Sequence, residues 1–141
     1  MMIDTNLQYD GWHVGRSIDY LLKNSNPKST KSCAGYVRRA LIAGGIQAYG
    51  NPVAAQDYHF QNYLDKIGFV KVTELEDKIS QENYRPLPGD IAVMQAPTGN
   101  IGHICMWTGE NWASDFIQAR MRPYSGKGNN PETCYIYRWK N

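Results

Sequence analysis

The hydrophobic pattern of the sequence changes at Pro86-Leu87-Pro88-Gly89-Asp90, and this change constrains the fold more than any other feature. Before this segment, apolar residues mostly recur every three or four positions, as in amphipathic helices. After it, short runs rich in β-branched and aromatic residues are typical of strands. Helices followed by strands predict an α+β fold, in which the N-terminal helices pack on an antiparallel β-sheet.

The length and composition fit one globular domain. The chain has 141 residues, of which 42% are hydrophobic and 20% are charged, which excludes wholesale disorder and collagen-like repeats. No internal repeat or long charge run divides it, so we expect residues 1–141 to form a single domain. The net charge of +2 is too small to predict nucleic-acid binding.

Neither a membrane span nor a disulfide scaffold is predicted. No stretch approaches 18 apolar residues, and the N-terminal segment has an early acid and no apolar core, unlike a Sec signal. The three cysteines, Cys33, Cys105 and Cys134, leave at least one free thiol per chain. These features predict synthesis in the cytoplasm and raise the question of a reactive cysteine.

Periodicity and breaker residues predict the individual elements. A first helix is expected at 16–23, a second from Cys33 to the Gly44-Gly45 pair, a third at 54–67 and a helical turn at 75–80. Strands are expected at 69–72, 91–95, 101–108, 112–118 and 135–139.

Cys33 opens the second helix, with Ser32 before it as an expected N-cap. The apolar stripe of this helix comprises Cys33, Val37, Ala40, Leu41 and Gly44. A helix N-terminus favours an anion and offers free N–H groups, so we expect the Cys33 thiol to ionise more easily than a free thiol and to act as a nucleophile. The alternative is a small buried residue in a helix–sheet core.

A nucleophilic thiol needs a base, and the sequence contains three histidines. His59 is most simply a surface or half-buried residue of the predicted third helix, and His13 is most simply a packing residue beside Trp12. His103 lies in a predicted strand directly after Gly102, which leaves room for close approach. It is therefore the candidate base.

Asp115 is the candidate third residue, because it lies on an inward face of the next predicted strand and can accept the ring N–H of His103. For residues that lie opposite each other on two antiparallel strands, the two residue numbers add up to the same value along the whole pair. A two-residue turn at Gly109-Glu110 gives 219 and puts His103 and Asp115 on opposite faces, whereas a three-residue loop gives 218 and makes them direct partners. We therefore predict a bulge or an odd-length loop between Thr108 and Asn111.

Four motifs in order resemble the papain-like peptidoglycan hydrolases of the NlpC and CHAP type, and are most similar to small amidase effectors of bacterial type VI secretion. They are Ser32-Cys33-Ala34-Gly35-Tyr36-Val37-Arg38, Pro88-Gly89-Asp90-Ile91-Ala92-Val93, Gly102-His103-Ile104 and Trp112-Ala113-Ser114-Asp115-Phe116. Together they span roughly residues 30–120. Ala34 departs from the pattern, since many NlpC-type enzymes have serine after the nucleophile.

The resemblance implies a papain-like fold and a cysteine peptidoglycan amidase or endopeptidase with Cys33, His103 and Asp115 as catalytic residues. It implies cleavage of the stem peptide between D-glutamate and meso-diaminopimelate, or of the muramoyl–alanine amide as in CHAP relatives. No metal or organic cofactor is implied. We expect Trp107, Trp112 and Gln118 to line the substrate cleft. The resemblance also implies action on the wall in a target-cell periplasm, and a cognate immunity protein as partner.

Other side chains have structural interpretations. We expect Cys105 to be a buried core thiol under the nucleophile helix; a disulfide with Cys134 and a zinc site of Cys33, His103, Cys105 and Cys134 are alternatives. The Arg38-Arg39 pair is a solvated helix face that can also attract the anionic cell wall.

Rival functions are a phage-type endolysin of the same chemistry, a non-enzymatic muropeptide- or protein-binding module on an inactive scaffold, and a cytoplasmic amidase for a small γ-glutamyl metabolite.

Overall fold

The computed structural model describes residues 3–50, 52, 54–95, 101–123 and 132–140. Helices α1 (Val14–Lys23) and α2 (Cys33–Ala43) come first, and two short helices, α3 (Asp57–Phe60) and α4 (Tyr63–Ile67), follow. Strand β1 (Phe69–Leu75) and helix α5 (Lys78–Asn83) precede the remaining strands, which are β2 (Ile91–Met94), β3 (His103–Trp107), β4 (Trp112–Ala113), β5 (Ile117–Gln118) and β6 (Cys134–Trp139).

The second helix begins and ends where the sequence predicts. Gly44 is the C-cap of α2, and its lack of a side chain allows the N-terminal segment to approach closely. A Cβ on Gly44 would lie 2.4 Å from Ser17 Oγ and 2.6 Å from Trp12 Nε1. Ser17 Oγ accepts a 2.8 Å hydrogen bond from that indole and donates one of 2.6 Å to Ala40 O. These contacts fix α1 against α2.

Other predicted boundaries need correction. The single helix at 54–67 is wrong, because Asn62 adopts a left-handed φ of 57° and separates α3 from α4. Helix α1 starts two residues before the predicted 16–23 segment, and β1 continues three residues beyond the predicted 69–72 strand. The helical turn expected at 75–80 forms later, as α5, because the carboxylate of Asp77 caps it by accepting from Ser80 N at 2.7 Å.

The strands form one sheet in the order β1-β6-β2-β3-β4-β5, and every pair of named strands is antiparallel. The predicted α+β class is confirmed. Successive side chains of β3 point to opposite faces of the sheet. Ile104 and Met106 pack with α1 and α2 in one hydrophobic core, whereas Cys105 belongs to a second core on the other face.

The predicted position of Cys105 under α2 is therefore wrong, although the thiol is fully buried. Cys134 lies on β6, and β2 separates that strand from β3. Two strand spacings place the strands about 10 Å apart, too far for a disulfide without backbone movement. All three cysteines are free thiols.

The predicted strand at 112–118 and the predicted bulge before it are both wrong. Trp107 pairs with Trp112, Met106 pairs with Ala113, and Thr108 N donates to Asn111 O at 2.9 Å. In each of these pairs the two residue numbers sum to 219, so Gly109 and Glu110 form a regular two-residue turn without a bulge. Strand β4 ends at Ala113, and a turn through residues 114–116 returns the chain to β5, which pairs with β4.

Asp90, from the Pro88-Gly89-Asp90 motif, forms a largely buried ion pair with Arg138 of β6. The carboxylate is 1% exposed and accepts two bonds of 2.8 Å from the guanidinium. It also accepts from Leu87 N at 2.9 Å and from the Tyr84 hydroxyl at 3.1 Å. The motif residue therefore ties the start of β2 to β6 and has a structural role.

No helix in the described ranges has the length and apolar character needed to cross a bilayer.

We predict that Asp90→Asn lowers the free energy of unfolding by about 2 kcal/mol, because it leaves the guanidinium of Arg138 without its counter-charge in a partly buried site. Urea unfolding followed by circular dichroism measures this loss. Glu110→Gln is the matched control, since Glu110 is exposed and should change stability by less than about 0.5 kcal/mol. Equal effects of the two substitutions would contradict the structural role of Asp90.

Candidate functional site

Cys33 is the first residue of α2, and its side chain is enclosed. It is 8% exposed. The Ser32 hydroxyl makes no capping hydrogen bond, so the predicted side-chain cap is wrong, although Ser32 occupies the N-cap position. Backbone N–H groups of Ile104, Ala34 and Cys33 itself interact with the sulfur. These N–H groups lower the pKa of the Cys33 thiol and so favour a developing negative charge there.

Two cavities meet at Cys33. The first, here called the apolar cavity, has a volume of about 500 Å³ and is lined by Cys33, His103, Ser29, Lys31, Ile101, Gly102, Phe116 and Pro123. The second, here called the cationic cavity, has a volume of about 260 Å³ and includes Lys31 and Arg39 in its lining with Cys33. Because Cys33, Lys31 and Ile101 line both, the two cavities form one cleft and meet at these residues.

The structure brings the two predicted chemical groups to this cleft. His103 is the first residue of β3 and lines the apolar cavity together with Cys33. Gly102 has a φ of 72°, and a Cβ there would lie 2.2 Å from Met94 O. Only glycine fits this close approach. The contact therefore fixes the point at which β3 starts, and with it the position of His103.

Gln118 holds the ring of His103. The Nε2 atom of His103 lies 2.7 Å from Gln118 Oε1. The amide of Gln118 is oriented by its own partners, since Nε2 donates to Arg120 O at 3.0 Å and to Met121 O at 2.9 Å. Both partners are carbonyls, so the amide oxygen must face His103. His103 therefore carries its proton on Nε2, and Nδ1 holds the lone pair that can act as a base.

Asp115 holds the segment before α2. Its Oδ2 accepts hydrogen bonds from Thr30 N at 2.5 Å, Thr30 Oγ1 at 2.8 Å and Ser32 N at 3.4 Å. Its backbone carbonyl accepts from Asn26 N at 2.9 Å. Ser114 Oγ lies 3.1 Å from Asp115 Oδ1 and 2.9 Å from Gln118 Oε1. The fully buried Asp115 thus links the loop before Cys33, through Ser114, to the Gln118 side chain that holds the His103 ring.

The register explains why Asp115 and Gln118 have different partners. Trp107 opposes Trp112, and Trp112 opposes Gln118, so Gln118 lies on the face of β3 that also carries His103. Ala113 packs with α2 on the other face. The chain reverses direction at Asp115 on the same side of the sheet as Ala113, and the N-terminus of α2 lies on that side.

Burial favours the neutral forms of both groups. It raises the pKa of Cys33 above its ordinary value of 9.0, with a further rise from the charge of Asp115, despite the three backbone N–H groups that lower it. The expectation of an easily ionised thiol is therefore wrong for the free protein. Burial also lowers the pKa of His103, against smaller opposing effects of Gln118 and Asp115. Hydrogen bonds from Thr30 and Ser32 outweigh the burial of Asp115 and lower its pKa, so it is ionised.

The remaining predicted cleft residues lie elsewhere. Trp107 and Trp112 pack edge to face, with ring centroids 5.4 Å apart, in the core on the face away from α2. Neither lines the two cavities at Cys33. Within the described ranges, no cluster of three or more His, Cys, Asp and Glu side chains has the arrangement of a metal site.

Gln118 was also predicted to line the cleft, but it lines neither cavity at Cys33. It makes the hydrogen bond to the His103 ring that the sequence predicted for Asp115. The strand register could have predicted this bond. A two-residue turn after Thr108, followed by a second reversal near Asp115, places residue 118 on the same face of the sheet as residue 103. Lys31 was also missed. It has a left-handed φ of 64° and lines both cavities, but nothing in the local sequence marks it.

Comparison with solved structures gives two similar chains, both 30% identical to this one. The first, from the crystal structure of the type VI native effector–immunity complex Tae3–Tai3 from Ralstonia pickettii, has a TM-score of 0.68 and covers 88% of this chain and 96% of its own. The second, from the selenomethionine form of the same complex, has a TM-score of 0.65, with coverages of 85% and 97%. No protein-family model matches the sequence, and no curated protein does.

We predict that iodoacetamide labels native Cys33 slowly at neutral pH and that the rate rises about tenfold per pH unit through pH 9, because the raised pKa keeps the thiol protonated. Mass spectrometry of tryptic peptides across a pH series measures the rate. Cys105 and Cys134 are buried and should label only in urea, where all three thiols should show ordinary pKa values. A rate for Cys33 that does not change between pH 5 and 8 would show a preformed thiolate instead.

Proposed function

Because this chain belongs to the Tae3 family of type VI secretion effectors, we propose that it is an antibacterial peptidoglycan amidase that acts on the wall in the periplasm of a target cell. The observation that carries the proposal is the cleft in which Cys33 and His103 line one cavity. A nucleophilic thiol and an imidazole in one cleft are the two groups that amide hydrolysis through an acyl-enzyme requires.

In the first step, the sulfur of Cys33 attacks the carbonyl carbon of a stem-peptide amide while His103 Nδ1 takes the thiol proton. The proton moves while the sulfur attacks, because the pKa shifts of Cys33 and His103 both favour the neutral thiol and the neutral imidazole in the free protein. Substrate that excludes water from the cleft strengthens the pull of the developing imidazolium on the thiolate.

The oxyanion forms beside the N-terminus of α2, where the first N–H groups of a helix lack intrahelical partners. The intermediate then collapses: the C–N bond breaks, His103 returns the proton to the leaving amine, and a thioester remains on Cys33. Water, deprotonated by His103, hydrolyses the thioester and restores the thiol.

We assign Gln118 and Asp115 as positioning residues. Gln118 fixes the tautomer of His103 through its 2.7 Å hydrogen bond, and so takes the role that sequence reasoning gave to Asp115. Asp115 keeps the loop of residues 30–32 in place, and its negative charge also stabilises protonated His103.

The finer assignments follow the resemblance of the motifs. We propose a papain-like fold of the NlpC and CHAP type, and cleavage between D-glutamate and meso-diaminopimelate. The similar structures are effector–immunity complexes, and we therefore propose a cognate immunity protein that covers the cleft.

We predict that purified sacculi treated with the wild-type protein release muropeptides with a new amine terminus on diaminopimelate, read by mass spectrometry, and that Cys33→Ala releases none. Cys33→Ser should retain less than about 1% of the rate, because a hydroxyl is a poor nucleophile beside a base tuned for a thiol. Cys134→Ala is the matched control and should cleave, since the Cys134 thiol is buried in β6 and lines neither cavity at Cys33. Cleavage by Cys33→Ala would remove the proposed mechanism, and wild-type binding to sacculi without cleavage would favour the binding module.

We predict that Gln118→Leu lowers kcat/KM about 100-fold, because the orienting acceptor of His103 is lost. Gln118→Glu should move the acid limb of the pH profile to higher pH, since a carboxylate beside Nε2 raises the pKa of His103. Asp115→Asn should move it to lower pH, because that substitution removes a charge which raises the same pKa.

The exposed Gln47 provides the control for this series, and Gln47→Leu and Gln47→Glu should leave the profile unchanged. The position of the acid limb is independent of how much of each variant is folded. An acid limb that does not move in Gln118→Glu would exclude Gln118 as the partner of the catalytic imidazole.

A further inference from the structure

The cleft at Cys33 has two chemically different sides. The surface of the apolar cavity is mostly hydrocarbon, with Ile101, Phe116 and Pro123 contributing to it. The cationic cavity has Lys31 and Arg39 among its lining residues, and none of the described residues that line it is acidic. A substrate that spans the sulfur therefore has one part in a positive environment and one in an apolar environment.

Arg39 is held in position before any substrate binds. Its Nε donates to the Tyr20 hydroxyl at 3.1 Å, and its guanidinium carbon lies 5.0 Å from the centre of the Tyr36 ring. Side chains on a helix tilt toward its N-terminus, so Arg39 covers the preceding turn. There a Cβ on Gly35 would lie 3.1 Å from Arg39 Nη1.

The charges of Lys31 and Arg39 are not neutralised by a neighbouring carboxylate. Within the part of the chain that the structure describes, the ion pairs join Lys23 to Asp19, Lys71 to Glu74, Lys78 to Glu82 and Arg138 to Asp90. Lys31 and Arg39 are therefore available for an external anion. Both line the wall beside the nucleophile, where the positive end of α2 adds to their field.

We propose that Lys31 and Arg39 form a carboxylate subsite that selects substrates with an anionic group next to the scissile amide. This inference rests on the proposed function. In a stem peptide the anion is either the free α-carboxylate of a γ-linked glutamyl residue or a carboxylate of the diamino acid that follows. Arg39 offers the planar donor pair that matches a carboxylate, and Lys31 adds a second cationic residue to the cleft, since it lines both cavities.

The first test needs no peptidoglycan. Iodoacetate and iodoacetamide both alkylate a thiolate, forming an S–C bond and releasing iodide, but only iodoacetate carries a carboxylate. The ratio of their rates at Cys33 cancels any change in the pKa of the thiol, because both reagents react with the same thiolate. The ratio thus reports the attraction of the cleft for an anion.

We expect Lys31→Gln and Arg39→Gln each to lower the iodoacetate-to-iodoacetamide ratio about 3- to 10-fold, and the double variant to lower it further. High salt should lower the wild-type ratio toward that of the double variant. The matched controls are Lys66→Gln and Arg85→Gln, two exposed cations outside the cleft, which should not change it. A double variant with the wild-type ratio would overturn the proposal.

The second test compares muropeptides that carry a free carboxylate or a carboxamide, either on the glutamyl residue or on the diamino acid. Wild type should prefer the acid at one of these positions, which identifies the source of the anion. The double variant should lose that preference, with a much larger fall in kcat/KM on the acid than on the carboxamide. An equal fall on both would overturn the subsite.

Failure of the proposed function and failure of the carboxylate subsite give different results in these two tests. A wild-type protein that cleaves no sacculi overturns the proposed function, while the alkylation ratio still decides whether Lys31 and Arg39 attract a carboxylate to Cys33.

Discussion

The two-residue turn between β3 and β4 is the constraint on which the cleft depends. It keeps the strands in the register in which Trp107 opposes Trp112, and the second reversal through residues 114–116 then brings Gln118 to the face of His103. The same reversal leaves Asp115 on the side of α2, where its carboxylate holds Thr30 and Ser32. One added residue in either turn would exchange these faces and separate the base from its partner.

Burial gives the site its electrostatic character. An enclosed thiol and an enclosed imidazole both favour their neutral forms, since charge separation in a low dielectric is costly without compensation. The compensation is already built in, through the N–H groups around the sulfur and the charge of Asp115 near His103. In the proposed mechanism a bound substrate completes the conditions for proton transfer. The proposed carboxylate subsite of Lys31 and Arg39 fits the same design, because it would attract an anionic substrate to a thiol that is not itself charged.

Local features predicted a large part of this molecule. The apolar stripe from Cys33 and the glycines after it predicted α2, and the β-rich segment at 101–108 predicted the strand that carries His103. Segments with weak periodicity were less predictable. One left-handed residue, Asn62, divides a segment that reads as a continuous helix, and the paired hairpin of β4 and β5 reads as one strand because its turn, Ser114-Asp115-Phe116, contains neither glycine nor proline.

The sequence by itself determined the α+β order, the place of Cys33 at a helix N-terminus and the identity of the imidazole that lines the same cavity, because helix and strand periods are local properties of the chain. Only the tertiary structure decided that Gln118 hydrogen-bonds to His103, that Asp115 binds the loop before α2, and that burial raises the pKa of the thiol. These three outcomes depend on strand register and on the exclusion of water by distant segments, and neither is encoded within a few residues of the groups concerned.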